Sequence, residues 1–226
     1  MNADTLKQAL AAHFPGISPE GVDRLVAFAA HFREWNARLN LVSRKDIDAF
    51  EEHHLFHSLA IGQILPFPER VRVLDVGTGG GLPGLPLAIA FPASRFFLCD
   101  SIRKKADAVK AMVTELGINN IEVVNKRAEK LESKWEFILG RAVVALPVFL
   151  AWIRKNLRDG ETGGQPHGIL YLKGSRYAEE LESIGVSPFR VTPLGEVLPQ
   201  PYFQDKFLIH LRHSDIRHAN LPELPP

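Results

Sequence analysis

Two acids and the glycines between them are the residues best placed for chemistry. Asp75 opens the run Asp75-Val76-Gly77-Thr78-Gly79-Gly80-Gly81-Leu82-Pro83-Gly84, and Asp100 closes the hydrophobic run Phe96-Phe97-Leu98-Cys99. Glycines in such a turn let a ligand approach the backbone and aim the N–H groups of the next helix at it. An acid beside the turn suits a cationic ligand better than the phosphates of a dinucleotide. A second acid about 20 residues further on can accept from ribose hydroxyls. Taken singly, Asp75 reads equally as a turn residue and Asp100 as a helix cap. Both together, each at the C-terminal end of a predicted strand, mark the ligand-binding edge of an open α/β sheet.

The form acidic-x-Gly-x-Gly-x-Gly is typical of S-adenosylmethionine sites, where the turn cradles an amino acid moiety. Candidate cofactor contacts in this segment are therefore Asp75, Gly77, Thr78, Gly79, Gly81, Leu82 and Asp100.

Holding two acids at one sheet edge requires alternating strands and helices, and the chain supplies them from Arg70 onward. Strands are predicted at 71–76, 95–99, 121–124, 136–139 and 169–172, with an antiparallel closing pair at 188–198 and 207–211. Helices are predicted at 85–91, 104–116 and 147–157. The expected fold is a doubly wound, mostly parallel seven-stranded sheet of Rossmann-like type. Residues 1–68 read as a helical N-terminal segment, with helices at 21–39 and 46–65 and a break at Pro66-Phe67-Pro68. Residues 69–213 form the catalytic domain in this reading, and the Pro-rich stretch 214–226 a flexible tail.

Composition is that of an ordinary globular protein, with 46% hydrophobic and 23% charged residues and a formal charge of +1. No apolar run nears the roughly 18–20 residues needed to cross a bilayer, and no secretory leader opens the chain, so a cytoplasmic location is expected. The single cysteine, Cys99, excludes an intramolecular disulfide and a CxxC site. The near-neutral charge neither requires nor excludes a nucleic-acid partner.

Beyond the glycine turn, the chain resembles the ribosomal RNA small-subunit methyltransferase G family over nearly its whole length, to about residue 212. The resemblance is carried by Trp35-Asn36, Asn40-Leu41-Val42-Ser43, His54 with Ser58-Leu59, the continuation Gly81-Leu82-Pro83-Gly84-Leu85-Pro86, Asp100-Ser101 with Lys104-Lys105, Arg127-Ala128-Glu129, Arg141-Ala142 and Leu172-Lys173-Gly174. It implies methyl transfer from S-adenosylmethionine to N7 of a guanine in 16S ribosomal RNA. It further implies cofactor contacts at Gly77, Leu82, Ala128, Glu129 and Arg141, ribose binding by Asp100, and RNA contacts at Arg127, Lys173 and Lys104. The chain departs from the family pattern at His53, His57 and Lys206-Phe207, where many members carry Arg, Asp and Arg-His.

Guanine N7 offers a lone pair and no proton, so its methylation needs alignment rather than a general base. No catalytic base is therefore expected; Arg141 and Lys173 would position the reactants, with Arg141 acting on the cofactor and Lys173 on RNA. Cys99 lies inside a predicted strand and reads as a buried apolar residue rather than a nucleophile. The Asn/Asp-Pro-Pro-aromatic motif of many amine methylases is replaced after the fourth predicted strand by Gly140-Arg141-Ala142-Val143-Val144. His53, His54 and His57 lack the additional ligands a zinc site needs, so no metal is expected. A monomer acting on the small ribosomal subunit is the expected assembly. Two alternatives stay open on sequence: a small-molecule methyltransferase with an N-terminal lid, and a non-catalytic RNA-binding assembly protein that keeps a cofactor pocket.

Overall fold

The structure is a computed structural model that describes residues 1–224. Helices α1 (Ala3–His13) and α2 (Pro19–Leu39) open the chain. Ser18 caps α2 by accepting from the Gly21 N–H, and Pro19 fills the first turn, where no N–H is needed. The predicted single helix over 46–65 is instead a 3₁₀ turn (Ile47–Ala49), a π-helical stretch (Glu51–Phe56) and a short helix α3 (His57–Ile64). The wider π turn leaves the His54 carbonyl accepting from the Ser58 hydroxyl at 2.6 Å and from Arg141 at 3.2 Å. These bonds add to the one the same carbonyl accepts from the His57 N–H, and π turns often lie at functional sites.

The alternating region follows as β1 (Arg72–Val76), α4 (Gly84–Ala90), β2 (Arg95–Cys99), α5 (Arg103–Glu115), β3 (Ile121–Val124), β4 (Phe137–Arg141) and α6 (Leu146–Ile153). A two-residue hairpin, β5 (Glu161–Thr162) and β6 (Gln165–Pro166), leads to β7 (Gly168–Gly174), α7 (Tyr177–Glu182), β8 (Arg190–Pro193), β9 (Lys206–Leu211) and α8 (His213–Ile216). The main sheet has seven strands in the order β3-β2-β1-β4-β7-β9-β8, with β9 antiparallel to both neighbours and the rest parallel. The doubly wound fold is thereby confirmed. Strand order reverses between β1 and β4, so the crevice at their C-terminal ends is where a ligand belongs.

Several element boundaries differ from the sequence reading. The fourth strand extends through Arg141, and β7 extends through Lys173 because β9 continues to pair with it there, Lys173 opposite Phe207. The predicted strand at 188–198 contracts to four residues, since Leu194–Glu196 turns into a 3₁₀ segment after Pro193. The expected loose tail from residue 214 is corrected at its start. There α8 forms, Asp215 accepts from the Arg212 N–H at 2.8 Å, and Ile216 packs into the core with 1% exposure.

Each sheet face carries its own core. On one, the N-terminal helices pack Leu10, Leu25, Phe28, Phe32 and Phe50 in one cluster with Val73, Phe96, Phe137 and Leu170. The Phe32 and Phe50 rings stack at 4.4 Å. On the other, α6 and α8 cover Leu74, Ile138, Tyr171 and Ile209 with Phe149, Leu150 and Ile216. The N-terminal segment is thus part of the wall behind the glycine turn, and no helix among the described residues is long and apolar enough to cross a membrane.

Candidate active site

The glycine turn is built around Asp75, which is wholly buried. Its Oδ2 accepts from the Thr78 hydroxyl at 2.6 Å and from the Gly84 N–H at 2.9 Å, which ties the end of β1 to the start of α4. Gly84 is obligatory at this approach, because a Cβ there would lie 2.8 Å from Asp75 Oδ2. Burial pushes the Asp75 carboxyl up to about 6 even though both of these bonds favour the ionised form. Asp75, a candidate cofactor contact by its sequence, is sealed inside the turn and does not border the adjoining cleft; what the structure shows of it is the brace between β1 and α4. Thr78, Gly81 and Leu82 are likewise buried in the turn or against the core and do not border the adjoining cleft.

That cleft, of about 310 Å³, lies at the C-terminal ends of β1, β2 and β4. Gly77, Asp100, Ala128 and Glu129 border it, with Val76, Cys99, Ile102, Val143 and Val144 supplying apolar surface. Gly77 sits at φ +68°, a conformation that L side chains rarely adopt, and its N–H bonds the Cys99 carbonyl at 2.8 Å. Asp100 Oδ2 accepts from the Gly79 N–H at 2.9 Å and Oδ1 from the Ile102 N–H at 2.8 Å. Gly79 therefore takes part through Asp100, by fixing its carboxylate. A carboxylate has about four acceptor positions, so the Asp100 oxygens retain capacity for a pair of hydroxyls. Ile102 leaves 50% of its surface exposed beside them, an apolar face suited to a purine ring. Sequence reasoning missed Ile102; an isolated apolar residue just past a strand carries no periodic signal.

These features fit a nucleoside cofactor with a ribose diol. Asp100 would hold the ribose, Ile102, Ala128 and Glu129 would border the ring, and the turn at Gly77 would receive the amino acid end. Basic groups rim the same cleft, but Lys105, Lys126 and Arg127 are the ones that line it, whereas Lys104 is exposed and not part of its lining. Arg127 stays largely exposed and lies 3.8 Å from Glu129. The Cys99 thiol donates to the Lys126 carbonyl at 3.2 Å, and burial pushes its pKa up to about 11. A thiol held protonated in this way is no nucleophile.

Arg141 is placed elsewhere. It borders a second cleft of about 360 Å³ together with Asp46, His54, His57, Tyr171, Lys173, Tyr202 and Lys206. The two clefts meet at Ala142 and Val144, which border both. Ala142 adopts φ +52°, an unusual conformation for a residue with a Cβ. The guanidinium donates to the His54 carbonyl at 3.2 Å and bonds His54 Nδ1, while His54 Nε2 bonds Asp46. Packing lowers the Arg141 pKa from the ordinary arginine value, although the side chain keeps a surface on the cleft. Burial, then the Arg141 charge, lowers His54 to about 4, so its ring is neutral near pH 7 and free to accept from the guanidinium. No carboxylate lies within ion-pair distance of Arg141 among the described residues. Lys173, by contrast, is paired to Glu180 at 2.5 Å, and Glu180 also accepts from the Leu146 N–H at the start of α6.

Of the residues expected to act together, Asp100, Gly77, Ala128, Glu129 and Arg127 converge on the first cleft, and Arg141 and Lys173 on the second. Asp46 and Tyr202 are functional candidates that residue type and spacing did not single out, since each reaches the cleft from a remote part of the chain, and His54, noted in the histidine cluster, enters the site as the partner of Arg141.

The arrangement has close counterparts. Residues 22–187 match the profile of rRNA small subunit methyltransferase G. The chain is 39% identical over 204 residues to the Ribosomal RNA small subunit methyltransferase G of Cytophaga hutchinsonii, covering 90% of this chain and 98% of that protein. It is 37% identical over 199 residues to the protein of the same name from Flavobacterium johnsoniae, covering 88% and 94%. In fold it is similar to a SAM-dependent methyltransferase from Aquifex aeolicus, with a TM-score of 0.51 at 17% identity over 75% of this chain and 97% of that one. The glycine turn with Asp100, the sheet order and these matches together show that the chain belongs to the rRNA small subunit methyltransferase G family and uses S-adenosylmethionine as its methyl donor.

Proposed function

We propose that the protein methylates N7 of a guanine in 16S ribosomal RNA, acting as a cytoplasmic monomer on the small ribosomal subunit or its RNA. The observation that carries this reading is the pair of clefts meeting at Ala142 and Val144, one built for a nucleoside cofactor and the other lined by cations and aromatic rings. When bound, S-adenosylmethionine supplies a methyl carbon whose bond to sulfur breaks as the N7 lone pair forms the new one.

The protein has no proton to remove before this attack. The lowered pKa values of His54 and His57 and the raised pKa of Cys99 leave these three groups neutral near pH 7. Their work is to shape the second cleft and the floor of the first. Asp100 orients the donor, Arg141 and Lys173 position the acceptor, and the basic rim at Lys105, Lys126 and Arg127 attracts the RNA backbone. Lys104, exposed in the first turn of α5 and outside the cleft lining, adds to that field at longer range.

Incubation with methyl-labelled cofactor and small subunits lacking the modification, followed by mapping of the labelled nucleoside, tests the assignment. Label at N7 of one guanine is the expected result. Label on a base amine, on a ribose or only on a metabolite would replace it, and cofactor binding without transfer to any RNA would favour an assembly role.

A further inference from the structure

Three side chains from separate segments, His53, His57 and Lys206, come together around one ring, that of Tyr202. His53 stacks on Tyr202 with centroids 3.9 Å apart and planes at 14°. His57 meets the same ring edge-on at 5.8 Å and 82°, and Phe203 does so at 5.0 Å and 83°. The Lys206 ammonium lies 4.9 Å from the ring centroid. Since the His53 imidazole fills one face, the ammonium covers the other. Asp46 fixes His53 from behind at 2.7 Å, so the ring is braced before any ligand arrives.

Tyr202 lines the second cleft, whose volume of about 360 Å³ falls in the range of small-molecule sites. The Lys206 ammonium over the ring is otherwise paired only with the exposed Asp205. Three cations, Arg141, Lys173 and Lys206, border the same space, and Arg141 has donors that no protein carboxylate engages. A flat apolar face bordered by these cations, with the carboxylate of Asp46 on the same lining already engaged by His53 and His54, matches a base attached to phosphates. The cleft's contact with the cofactor cleft at Ala142 and Val144 sets any base in it beside the donor.

We propose that the second cleft receives the target purine nucleotide swung out of its RNA, the base stacking on Tyr202 as Lys206 moves from the ring onto a neighbouring phosphate. The assignment rests on the RNA-methylation reading above. Extrusion is required because a stacked base cannot enter a cleft of this size beside the donor. Lys206 guards the aromatic face in the free protein and contributes a phosphate contact in the complex. The stacked His53 and edge-on His57 hold the ring still, which lowers the ordering cost when the base arrives.

The test compares Tyr202→Phe, Tyr202→Leu and Lys206→Met with the wild type. It measures cofactor affinity by calorimetry, melting temperature, RNA affinity across a salt series, and single-turnover methyl transfer to unmodified small subunits. Stacking on an aromatic side chain corresponds to about 5- to 150-fold in affinity. Tyr202→Leu should therefore lose at least about 5-fold in RNA binding or transfer with cofactor affinity unchanged, and Tyr202→Phe should retain nearly all of both. Lys206→Met should flatten the salt dependence by about one counterion. Wild-type transfer and RNA affinity in a folded Tyr202→Leu protein would overturn the proposal. So would equal losses in the Phe and Leu variants, which would assign the effect to the hydroxyl. Should Tyr202→Leu fail to fold, an unchanged salt slope in Lys206→Met would overturn it instead. If the wild type itself transfers no methyl to the subunit, the RNA reading fails before the pocket is tested.

Discussion

The two clefts are neighbours made in opposite ways. The first is a product of the backbone: a glycine turn, the ends of β1, β2 and β4, and an acid whose oxygens are fixed by the N–H groups of Gly79 and Ile102. Its critical contacts lie within one stretch of chain, between Asp75 and Ile102. The second is assembled from side chains of distant segments. Arg141 ends β4, His54 lies in a π turn of the N-terminal segment, and Tyr202 precedes β9. A cofactor common to many enzymes can be held by generic main-chain geometry, whereas a particular acceptor must be recognised by side chains that a family can vary. His53, His57 and Lys206 all fall on the second cleft or its aromatic wall.

The largest effect should come from the brace of the first cleft. Asp75→Ala strands the Thr78 hydroxyl and the Gly84 N–H, each worth about 1–3 kcal/mol when left unpaired in the interior. Part of this is offset by removing a carboxyl that burial already disfavours, so a net loss of about 2–4 kcal/mol is expected in denaturant unfolding, together with loss of cofactor binding. Unchanged stability would mean that the turn holds without its acid. Asp100→Ala comes next. It should weaken cofactor affinity about 100-fold by calorimetry, since two hydroxyl bonds to a charged acceptor and the order of the Gly79 and Ile102 amides are lost together. The same variant should melt close to the wild type.

Arg141→Ala sharpens the contrast, because the side chain borders only the second cleft. Methyl transfer should fall by about 10²-fold through lost positioning, while cofactor affinity stays within about twofold. A large loss of cofactor affinity would move Arg141 back to the role its family resemblance implies.

The smallest effect concerns pH. His54 and His210 both have their pKa lowered to about 4 by burial, so between about pH 6.5 and 4 the unfolded chain binds protons there that the folded chain refuses. Stability therefore falls as pH drops through that window. Asp75, raised to about 6, acts in the opposite sense between about pH 6 and 4, because the folded state binds its proton more readily. His57, also lowered by burial, acts in the same sense, so with three histidines against one carboxyl the melting temperature should decline from pH 7 to pH 5, and His210→Phe should reduce the decline. A flat profile would show that the buried histidines gain partners on protonation.

Much of the first cleft was legible in the sequence because local rules govern it. Glycine spacing, the hydrophobic run before Asp100 and the helix stop at Gly117 each depend on neighbours in the chain. Even so, residue type alone could not tell that Asp75 faces inward, since burial is set by how α4 docks onto β1. The second cleft was largely illegible. Tyr202 sits in a short 3₁₀ turn without periodicity, and Asp46 becomes a partner of His54 only because the 46–65 helix is broken by a π turn. The ordered start of the tail was hidden for a similar reason: Ile216 is one apolar residue in a polar stretch, and its burial depends on a docking site made by distant strands.

The division of labour between the clefts is tested most directly by a crossed measurement on Asp100→Ala and Lys173→Ala. Cofactor affinity is measured without RNA, and RNA affinity is measured across a salt series with the demethylated cofactor product at saturation for each protein. Asp100→Ala should lose about 100-fold in the first assay and match the wild type in the second. Lys173→Ala, which leaves Glu180 without its ammonium partner, should match the wild type in the first and show weaker RNA binding, with a salt slope lower by about one counterion, in the second. Both variants failing in both assays, or Lys173→Ala weakening the cofactor alone, would contradict two clefts with separate tasks.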